Sequence, residues 1–356
     1  MPKPTICIKT PKNQGQKIIA LTSKLEIIDK LLEIQRNEDS LCVPIVRQLH
    51  ESELDIMQSQ VPGIQLSAAI FTKKKLPQET LTQILEKKLP PNLLAILPKG
   101  LDVIGDIAII DIPLELKLYE NIIGEAVLQT HRNIKTVLGK AGAIGGIYRV
   151  REYTFIAGEQ KTQTVDKEFG CQYHVDVAKA YFSPRLSHEH DRIASIVQTG
   201  ETVVDLFSGV GPFSVLIAKK NPNVKVYAVD INPEAVKLLK INLRANRVEN
   251  RVFPILGDSR QITTTRLKGV ADRVIMNLPE TAIDFVGAAC QAIKPEGGVI
   301  HFYAFVRSPD TIENLKFRFS EAVESTGRKM EIFLYAKSIR ETAPFESQIV
   351  LDSKVT

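Results

Sequence analysis

The sequence predicts an α/β protein whose C-terminal half is a parallel sheet covered by helices, preceded by two small α+β domains. Beyond residue 168, apolar strand-like runs alternate with helical segments, which is typical of a parallel sheet with helices on both faces. Before residue 168, short strand-like runs such as ICIKT and VIGDIAIIDIP separate segments with helical spacing. The 356 residues suit two or three domains at about 150 residues each.

Charge and pattern change at two points along the chain. The predicted domains are therefore residues 1–75, 76–168 and 169–356. The first ends in the basic run from Lys73 to Lys75, which Pro77 follows. Within it, ICIKT and SLCVPIV have strand character, while GQKIIALTSKLEIIDKLLEI has the apolar spacing of a helix. In the second, VIGDIAIIDIP predicts a strand, a turn and a strand that Pro113 closes.

Composition places the chain among globular proteins. Hydrophobic residues make up 44% and charged residues 24%, which excludes a disordered or collagen-like chain. No run approaches about 18 uninterrupted apolar residues and the start is polar, so we expect neither a membrane span nor a signal peptide. The four cysteines are far apart, without the spacing of zinc ligands or a disulfide framework, so we expect a cytoplasmic protein.

One stretch of the second domain is basic and free of acidic residues. Its basic residues are Arg132, Lys135, Lys140, Arg149 and Arg151. Four interleaved glycines would let backbone amides approach phosphates, and such a stretch attracts polyanions. A solvated basic hairpin explains it equally well. The net charge of +5 permits a nucleic-acid partner without requiring one.

A glycine loop between a strand and a helix predicts a nucleotide site. In VVDLFSGVGPFS, an apolar run ends at Asp205, and Gly209 and Gly211 precede a helix start. The next strand-like run ends in Asp230, whose carboxylate can accept hydrogen bonds from both ribose hydroxyls. Asp258 follows another apolar run and is placed to receive an adenine amino group. Each carboxylate taken alone is more often a helix cap.

NAD and S-adenosylmethionine both fit this outline. In a dinucleotide site the glycine turn faces a pyrophosphate, and Ser214 could serve as the third small residue. Here Asp205 opens the loop, and its negative charge would repel phosphate but could hold a cationic methionine ammonium. We therefore predict S-adenosylmethionine, bound by a Rossmann-like class I methyltransferase domain.

A fourth apolar strand leads into the sequence MNLPE. Asn277 offers a donor and an acceptor to the edge of a planar base, and Pro279 stiffens the turn. Enzymes that methylate exocyclic amines usually carry an aromatic residue where this chain has Glu280. An adenine-amine or cytosine-amine substrate is therefore disfavoured. The alternative interpretation is an ordinary turn at a strand end.

The segment YFSPRLSHEHDR precedes the first strand of the predicted sheet. It offers a polar-tipped aromatic ring in Tyr181, a phosphate-binding Arg185 and a carboxylate in Glu189. Glu189 is the candidate general base. Its alternative role is to complement a helix dipole.

Together these motifs resemble the archaeal and eukaryotic type of tRNA guanine-37 N1-methyltransferase over nearly the whole chain. The most specific elements are GDIAIIDIP, GGIYRVR and YFSPRL, and further ones are CIKTPKNQG, AVDINPEAV, MNLPETAIDFV and the glycine loop DLFSGVGPFS, which many unrelated enzymes share. The resemblance implies a monomeric enzyme of three domains. The first would contact the outer corner of tRNA, the second would hold the anticodon stem, and the third would bind S-adenosylmethionine and the target base.

The resemblance also implies roles for single residues. Glu189 would take the proton from guanine N1, and Arg149 would stand near O6, with Arg151 as its alternative. The predicted catalytic residues are Glu189, Arg149, Asn277, Pro279 and Tyr181. The predicted cofactor residues are Asp205, Phe207, Gly209, Gly211, Asp230, Ile231, Asp258 and Asn277. The predicted RNA-binding residues are Arg132, Lys135, Lys140, Arg151 and Arg185.

Two other functions fit parts of this pattern. A wyosine-pathway enzyme would methylate the tricyclic guanosine derivative at the same position or transfer the aminocarboxypropyl group of the cofactor. The sequence Asn277-Leu278-Pro279 argues against that transfer. A tRNA-binding module without activity is the second alternative, and the intact set of predicted site residues argues against it. Methyl transfer from a sulfonium requires no metal, and we predict none.

Overall fold

The computed structural model divides the chain into two compact units, Met1–Glu79 and Thr80–Thr356. The residues whose structure is described are 4–74, 79–98, 100–142 and 145–356. Lys75 and Pro77, at the predicted end of the first domain, lie outside the described residues. The division into three domains stays a prediction. Among the described residues, no helix has the length and apolar character needed to span a membrane.

The first unit is a four-stranded sheet of order β2-β3-β1-β4 with two helices. Its strands are β1 (Thr5–Pro11), β2 (Gln35–Arg36), β3 (Ser40–Pro44) and β4 (Gln65–Ala69). Its helices are α1 (Gly15–Lys24) and α2 (Glu51–Gln60). Strand β1 pairs antiparallel with β3 and β4, which confirms the strands predicted at ICIKT and SLCVPIV.

The helix predicted over GQKIIALTSKLEIIDKLLEI is wrong in its second half. Helix α1 ends at Lys24, and Glu26 takes a positive φ of 54° that reverses the chain. The reversal buries Ile27 and lets its carbonyl accept a hydrogen bond from Val46 N at 2.8 Å. Tertiary packing therefore overrides the helical spacing of the sequence.

The second unit begins with a four-stranded sheet of order β5-β6-β7-β8, in which β6 and β7 are parallel. Its strands are β5 (Asp102–Ile104), β6 (Ile107–Ile110), β7 (Thr136–Lys140) and β8 (Tyr153–Gly158), and its helices are α3 (Leu81–Leu85), α4 (Pro91–Leu94) and α5 (Glu120–Thr130). The strand, turn and strand predicted in VIGDIAIIDIP are confirmed as β5 and β6. The 141–152 loop, of which residues 143–144 lie outside the described part, connects β7 to β8 and carries Arg149.

A hairpin links this sheet to the next one. It consists of β9 (Gln163–Glu168) and β10 (Cys171–Asp176), so the predicted boundary at residue 168 falls in its turn. The backbone N–H of Gln172 donates to Asn246 Oδ1 at 2.9 Å, and that of His174 donates to Asn242 Oδ1 at 2.7 Å. These bonds fasten the hairpin to a helix of the large sheet.

The large sheet has seven strands in the order β13-β12-β11-β14-β15-β17-β16. Its strands are β11 (Thr202–Asp205), β12 (Lys225–Asp230), β13 (Val252–Leu256), β14 (Arg273–Met276), β15 (Gly298–Arg307), β16 (Met330–Ala343) and β17 (Glu346–Val355). Its helices are α6 (Ser187–Ile196), α7 (Pro212–Lys220), α8 (Pro233–Asn246), α9 (Ser259–Arg266), α10 (Val286–Ala292) and α11 (Ile312–Glu324). Strands β11 to β15 are parallel, which confirms the predicted sheet.

Both faces of the large sheet are covered by apolar side chains. Val203 belongs to the hydrophobic cluster on one face and Val204 to the cluster on the other, because successive side chains of a strand point to opposite faces. Ile104 and Ile109 of the smaller sheet join the first of these clusters. All four cysteines are buried free thiols.

Gly124 lies where α5 packs against β8, so substituting it tests how close that packing is. A Cβ added at Gly124 would lie 2.5 Å from Ile156 Cγ2 and 2.9 Å from Ala157 Cβ. Gly124→Ala is therefore expected to lower the free energy of unfolding by about 1–3 kcal/mol through overpacking. Urea unfolding followed by circular dichroism measures this change.

Gly287 in α10 is the matched control, because a Cβ added there would meet no atom within 4 Å. Gly287→Ala is expected to raise the free energy of unfolding by about 0.5–1 kcal/mol, since alanine loses less backbone entropy in a helix. Equal stabilisation by both substitutions would contradict the described packing of α5.

Candidate active site

A cavity of about 570 Å³ opens at the carboxyl ends of β11, β12 and β14. Strands β12 and β13 lie on one side of β11, whereas β14, which comes later in the chain, lies on its other side; α/β sheets bind their ligands at such a reversal of strand order. Predicted site residues that line the cavity are Lys140, Arg149, Arg151, Tyr181, Arg185, Phe207, Gly209, Asp230, Ile231, Asp258, Asn277 and Pro279. Predicted residues that do not line it, within the described part of the chain, are Arg132, Lys135, Glu189, Asp205 and Gly211.

The glycine loop connects β11 to α7. Gly209 has a φ of 54°, and its backbone N–H donates to Asp230 Oδ2 at 2.7 Å. Gly211 has a φ of 95°, and a Cβ there would collide with Leu239 Cδ1 in α8. Gly209 therefore contributes to the cavity wall, whereas Gly211 lets α7 pack closely against α8.

Asp230 stands at the end of β12 and lines the cavity. Its Oδ1 accepts from Asn232 N at 2.8 Å, so backbone donors orient both carboxylate oxygens. Burial raises the pKa of Asp230. Each oxygen keeps a further lone pair for a ligand hydroxyl, and the adjacent Ile231 exposes 39% of its surface.

An aromatic pair stands beside Asp258. Phe207 and Phe285 meet edge to face with ring centroids 4.9 Å apart, and the Arg260 guanidinium lies 4.8 Å from the Phe285 centroid. Arg260 also pairs with Asp258 at 2.7 Å and lowers its pKa. Asp258 thus caps α9 and lines the cavity at once. Sequence reasoning missed Phe285, because no local signal ties it to a loop 78 residues earlier.

Asp205 is fully buried beneath the loop and does not reach the cavity. Its Oδ2 accepts from Ser214 Oγ at 2.8 Å, while its Oδ1 has no partner among the described residues. Burial raises the pKa of Asp205 to about 7. The structure therefore does not bring Asp205 together with the other predicted cofactor residues, and its contact with an ammonium group stays a prediction.

Ser208 supplies a polar atom that is ready to bind a ligand. It lines the cavity and is only 3% exposed, yet its Oγ has no hydrogen-bond partner in the part of the chain that is described. A buried hydroxyl without a partner is costly, so a ligand atom that bonds to it is favoured. Together with Asp230 and the aromatic pair, Ser208 fits an adenosine-containing cofactor.

The 277–280 loop also lines the cavity. Asn277 and Pro279 line it, as predicted, and the Phe305 N–H donates to the Pro279 carbonyl at 3.1 Å. Glu280 forms two hydrogen bonds of 2.6 Å with the Arg149 guanidinium. This ion pair lowers the pKa of Glu280 and raises that of Arg149. It connects the basic loop to the end of β14.

Glu189 lies in a buried network next to the cavity. Its carboxylate accepts from the Arg192 guanidinium at 2.6 and 2.9 Å and from the Tyr303 hydroxyl at 2.7 Å. Arg192 also pairs with Asp352 at 2.6 Å, and these partners raise its pKa. The structure places Glu189 behind the cavity wall, and its role as the base stays a prediction.

Two carboxylates pair with three of the predicted RNA-binding cations. Asp102 pairs with Arg185 at 2.6 Å and with Lys140 at 3.8 Å. Asp106 pairs with Lys135 at 3.7 Å. The other predicted RNA-binding residues are the exposed Arg132 and the cavity-lining Arg151.

Comparison with known proteins identifies the family. The chain matches the TRM5/TYW2 methyltransferase domain over residues 164–332 and the TYW2 N-terminal domain over residues 81–162. It is 39% identical to the tRNA (guanine(37)-N(1))-methyltransferase Trm5b of Pyrococcus abyssi, with 99% of each chain covered. The chain belongs to the tRNA (guanine(37)-N(1))-methyltransferase family.

A second relative and a solved complex add detail to this assignment. The methyltransferase is 34% identical to the tRNA 4-demethylwyosine(37)-methyltransferase Taw21 of Saccharolobus solfataricus, over 72% of this chain and 94% of that protein. The complex structure of aTrm5 with tRNALeu superposes with a TM-score of 0.75 at 33% identity, covering 99% of this chain and all of that one. The family and fold predicted from the sequence are confirmed.

The buried Asp205 makes stability depend on pH. Because its pKa rises from 3.8 to about 7 on folding, the folded state binds more protons than the unfolded state between these values, and stability falls as pH rises through them. Asp205→Asn removes this loss. Urea titrations between about pH 5 and about pH 8 measure this. As pH rises, the free energy of unfolding of the variant is expected to increase relative to that of the wild type.

Asp258→Asn is the control, because Arg260 lowers the pKa of Asp258 below 3.8 and the carboxylate stays ionised across this range. Its pH profile is expected to run parallel to that of the wild type. Parallel profiles for Asp205→Asn and the wild type would contradict a protonated Asp205.

Proposed function

We propose that this enzyme transfers a methyl group from S-adenosylmethionine to N1 of guanosine 37 in tRNA, next to the anticodon. The observation that carries the proposal is that Asp230 and Ser208 line the same cavity as Asn277 and Arg149. An adenosine-containing cofactor and a planar base would therefore meet in one enclosure. Membership of the family supports the same reaction.

Asp230 is the group of the proposed cofactor site that the fold has already oriented. Asp230 would accept the ribose hydroxyls, because backbone N–H groups hold both of its oxygens in place. Phe207 and Phe285 would contact the adenine, and Ser208 would donate or accept one further hydrogen bond. When bound, S-adenosylmethionine supplies a methyl group that is activated by its sulfonium.

Guanine N1 carries a proton and is a poor nucleophile, so its methylation needs a base and a group that stabilises charge on O6. We assign the second role to Arg149. Glu280 occupies two of its five N–H donors in the free enzyme, which leaves others for the base oxygen. The target base must leave its stack in the loop to enter the cavity.

We propose that Glu189 is the base that removes the proton from guanine N1. Leu186 and His190, on either side of it in sequence, line the cavity. Arg192 and Tyr303 occupy part of its lone pairs, and an ionised carboxylate has about four acceptor positions. The second carboxylate on Arg192, Asp352, keeps that guanidinium compensated when Glu189 turns toward a base. Arg192 and Tyr303 therefore act as its orienting partners.

The remaining roles concern tRNA binding and the state of the protein. We propose that Lys140, Arg151 and Arg185, which line the cavity, contact the anticodon loop together with Arg132 and Lys135, which do not line it. Tyr181, exposed by 42%, would pack against cofactor and base. We further propose that the first unit contacts the outer corner of tRNA and that the enzyme works as a cytoplasmic monomer.

Methyl transfer to defined transcripts tests the reaction. Purified enzyme with labelled S-adenosylmethionine is expected to label a tRNA transcript that carries G at position 37 and to leave the matched transcript with A37 unlabelled. Equal labelling of both transcripts would contradict guanine N1 as the target.

Glu189→Gln tests the base. The amide cannot take the proton, so kcat is expected to fall by about 100-fold or more while the Kd for tRNA stays near that of the wild type. Steady-state methylation and filter binding measure the two quantities. Asp191→Asn is the control on the same helix, since Asp191 pairs with the surface residue Lys220. Equal losses of turnover and affinity in Glu189→Gln would assign Glu189 to binding.

The similarity to Taw21 supports a second candidate, methylation of a wyosine precursor at the same position. Mass spectrometry of the product nucleosides distinguishes the candidates. The proposed reaction yields 1-methylguanosine from an unmodified transcript. Label found only on tRNA that already carries the tricyclic base would favour the second candidate, and gain of the larger aminocarboxypropyl group would exclude both.

A further inference from the structure

The C-terminal hairpin, formed by β16 and β17, contributes two side chains to the cavity that no sequence motif predicts. Arg340 on β16 and Gln348 on β17 are cross-strand partners, and both line the cavity. Arg340 Nε donates to Gln348 Oε1 at 2.9 Å. Gln348 Nε2 donates to Asn277 Oδ1 at 3.3 Å. The hairpin therefore reaches the candidate base pocket through a chain of three polar side chains.

Arg340 sets the direction of the hydrogen bonds that run from it through Gln348 to Asn277. An arginine guanidinium has only donors, so the group that faces it in Gln348 must be the carbonyl oxygen. The amino group of Gln348 then faces Asn277, which must present its own carbonyl oxygen. The Asn277 amino group is left over, and it has no hydrogen-bond partner among the described residues.

Other contacts hold both ends of the chain. Arg340 Nη1 donates to Ser183 Oγ at 3.0 Å, and Arg340 Nη2 lies 3.5 Å from the Tyr181 hydroxyl. Gln348 is fully buried, so water does not compete for its amide. The bond from Phe305 N to the Pro279 carbonyl fixes the loop that carries Asn277. The remaining freedom of Asn277 is rotation of its amide, which Gln348 opposes.

We propose that Gln348 and Arg340 are positioning residues that aim the amino group of Asn277 at the target base and so select a base with a hydrogen-bond acceptor at that edge. The inference rests on the proposed function, since it takes Asn277 to contact the base. Guanine presents a keto oxygen at position 6, where adenine presents an amino group. An Asn277 amino group fixed at this point can donate a hydrogen bond to the keto oxygen of guanine. With adenine, it would face the 6-amino group, and two donors cannot form a hydrogen bond with each other.

Two substitutions at one position separate a directional role from simple packing. In Gln348→Glu, the carboxylate still accepts from Arg340 but can no longer donate, so Asn277 must turn and present its oxygen to the base. In Gln348→Met, a side chain of similar length makes no hydrogen bond, and the Asn277 amide rotates freely. The two variants should therefore differ although both remove the same bond.

Steady-state methylation of matched G37 and A37 transcripts measures the effect. We expect Gln348→Met to lose about 10-fold in kcat on G37, and Gln348→Glu to lose about 100-fold and to narrow the preference for G37 over A37. KM for tRNA should stay near that of the wild type in both, because many other contacts bind the tRNA. Arg340→Met keeps the Gln348 side chain but removes the donor that orients its amide, so a loss of about 10-fold in kcat on G37 is expected, and unchanged kcat would overturn the inference even if Gln348→Glu does not fold.

Two controls distinguish failure of the positioning role from failure of the proposed function. Lys337→Gln, an exposed change of charge on the same strand, should leave kcat unchanged, and calorimetry should show that every variant still binds S-adenosylmethionine. If the wild type does not methylate G37, the proposed function fails. If the wild type is active and the two Gln348 variants show equal losses with an unchanged base preference, the side chain only packs and the inference is overturned.

Discussion

The candidate active site depends on the order of the strands in the large sheet, which reverses beside β11. Because β12 lies on one side of β11 and β14 on the other, the loops that leave these strands part and enclose a cavity at the edge of the sheet. Asp230 ends β12 and Asn277 follows β14, so the strand order places them on opposite sides of β11. The parallel sheet therefore supplies the space that we propose cofactor and base share.

Most polar groups of the cavity are oriented before any ligand binds. Arg149 is paired with Glu280, Asp230 with two backbone N–H groups, and Asn277 with Gln348. Groups held in this way need little reorganisation when charge develops on a substrate, which is the largest source of catalytic stabilisation in many enzymes. Through Arg149 and Gln348, the basic loop and the C-terminal hairpin both reach the cavity that we propose receives the base.

The sequence predicts those parts of the site that follow a strand directly. Asp230 and Asn277 come immediately after apolar runs, so the edge they share was predictable from the order of elements. Gln348 and Arg340 were not, because the antiparallel hairpin that carries them has no motif and meets Asn277 only in the folded chain. Asp205 has the same position as Asp230 relative to its strand, but packing beneath the glycine loop buries it completely.

The central claim is that a single cavity at the ends of β11, β12 and β14 holds both the cofactor and the base that leaves the tRNA loop. A crystal structure of the enzyme with S-adenosylhomocysteine and a tRNA transcript tests it most directly. The account predicts the ribose of the cofactor on Asp230 and guanine 37 in the same cavity, against Asn277. A base bound outside this cavity, or a ribose away from Asp230, would contradict it.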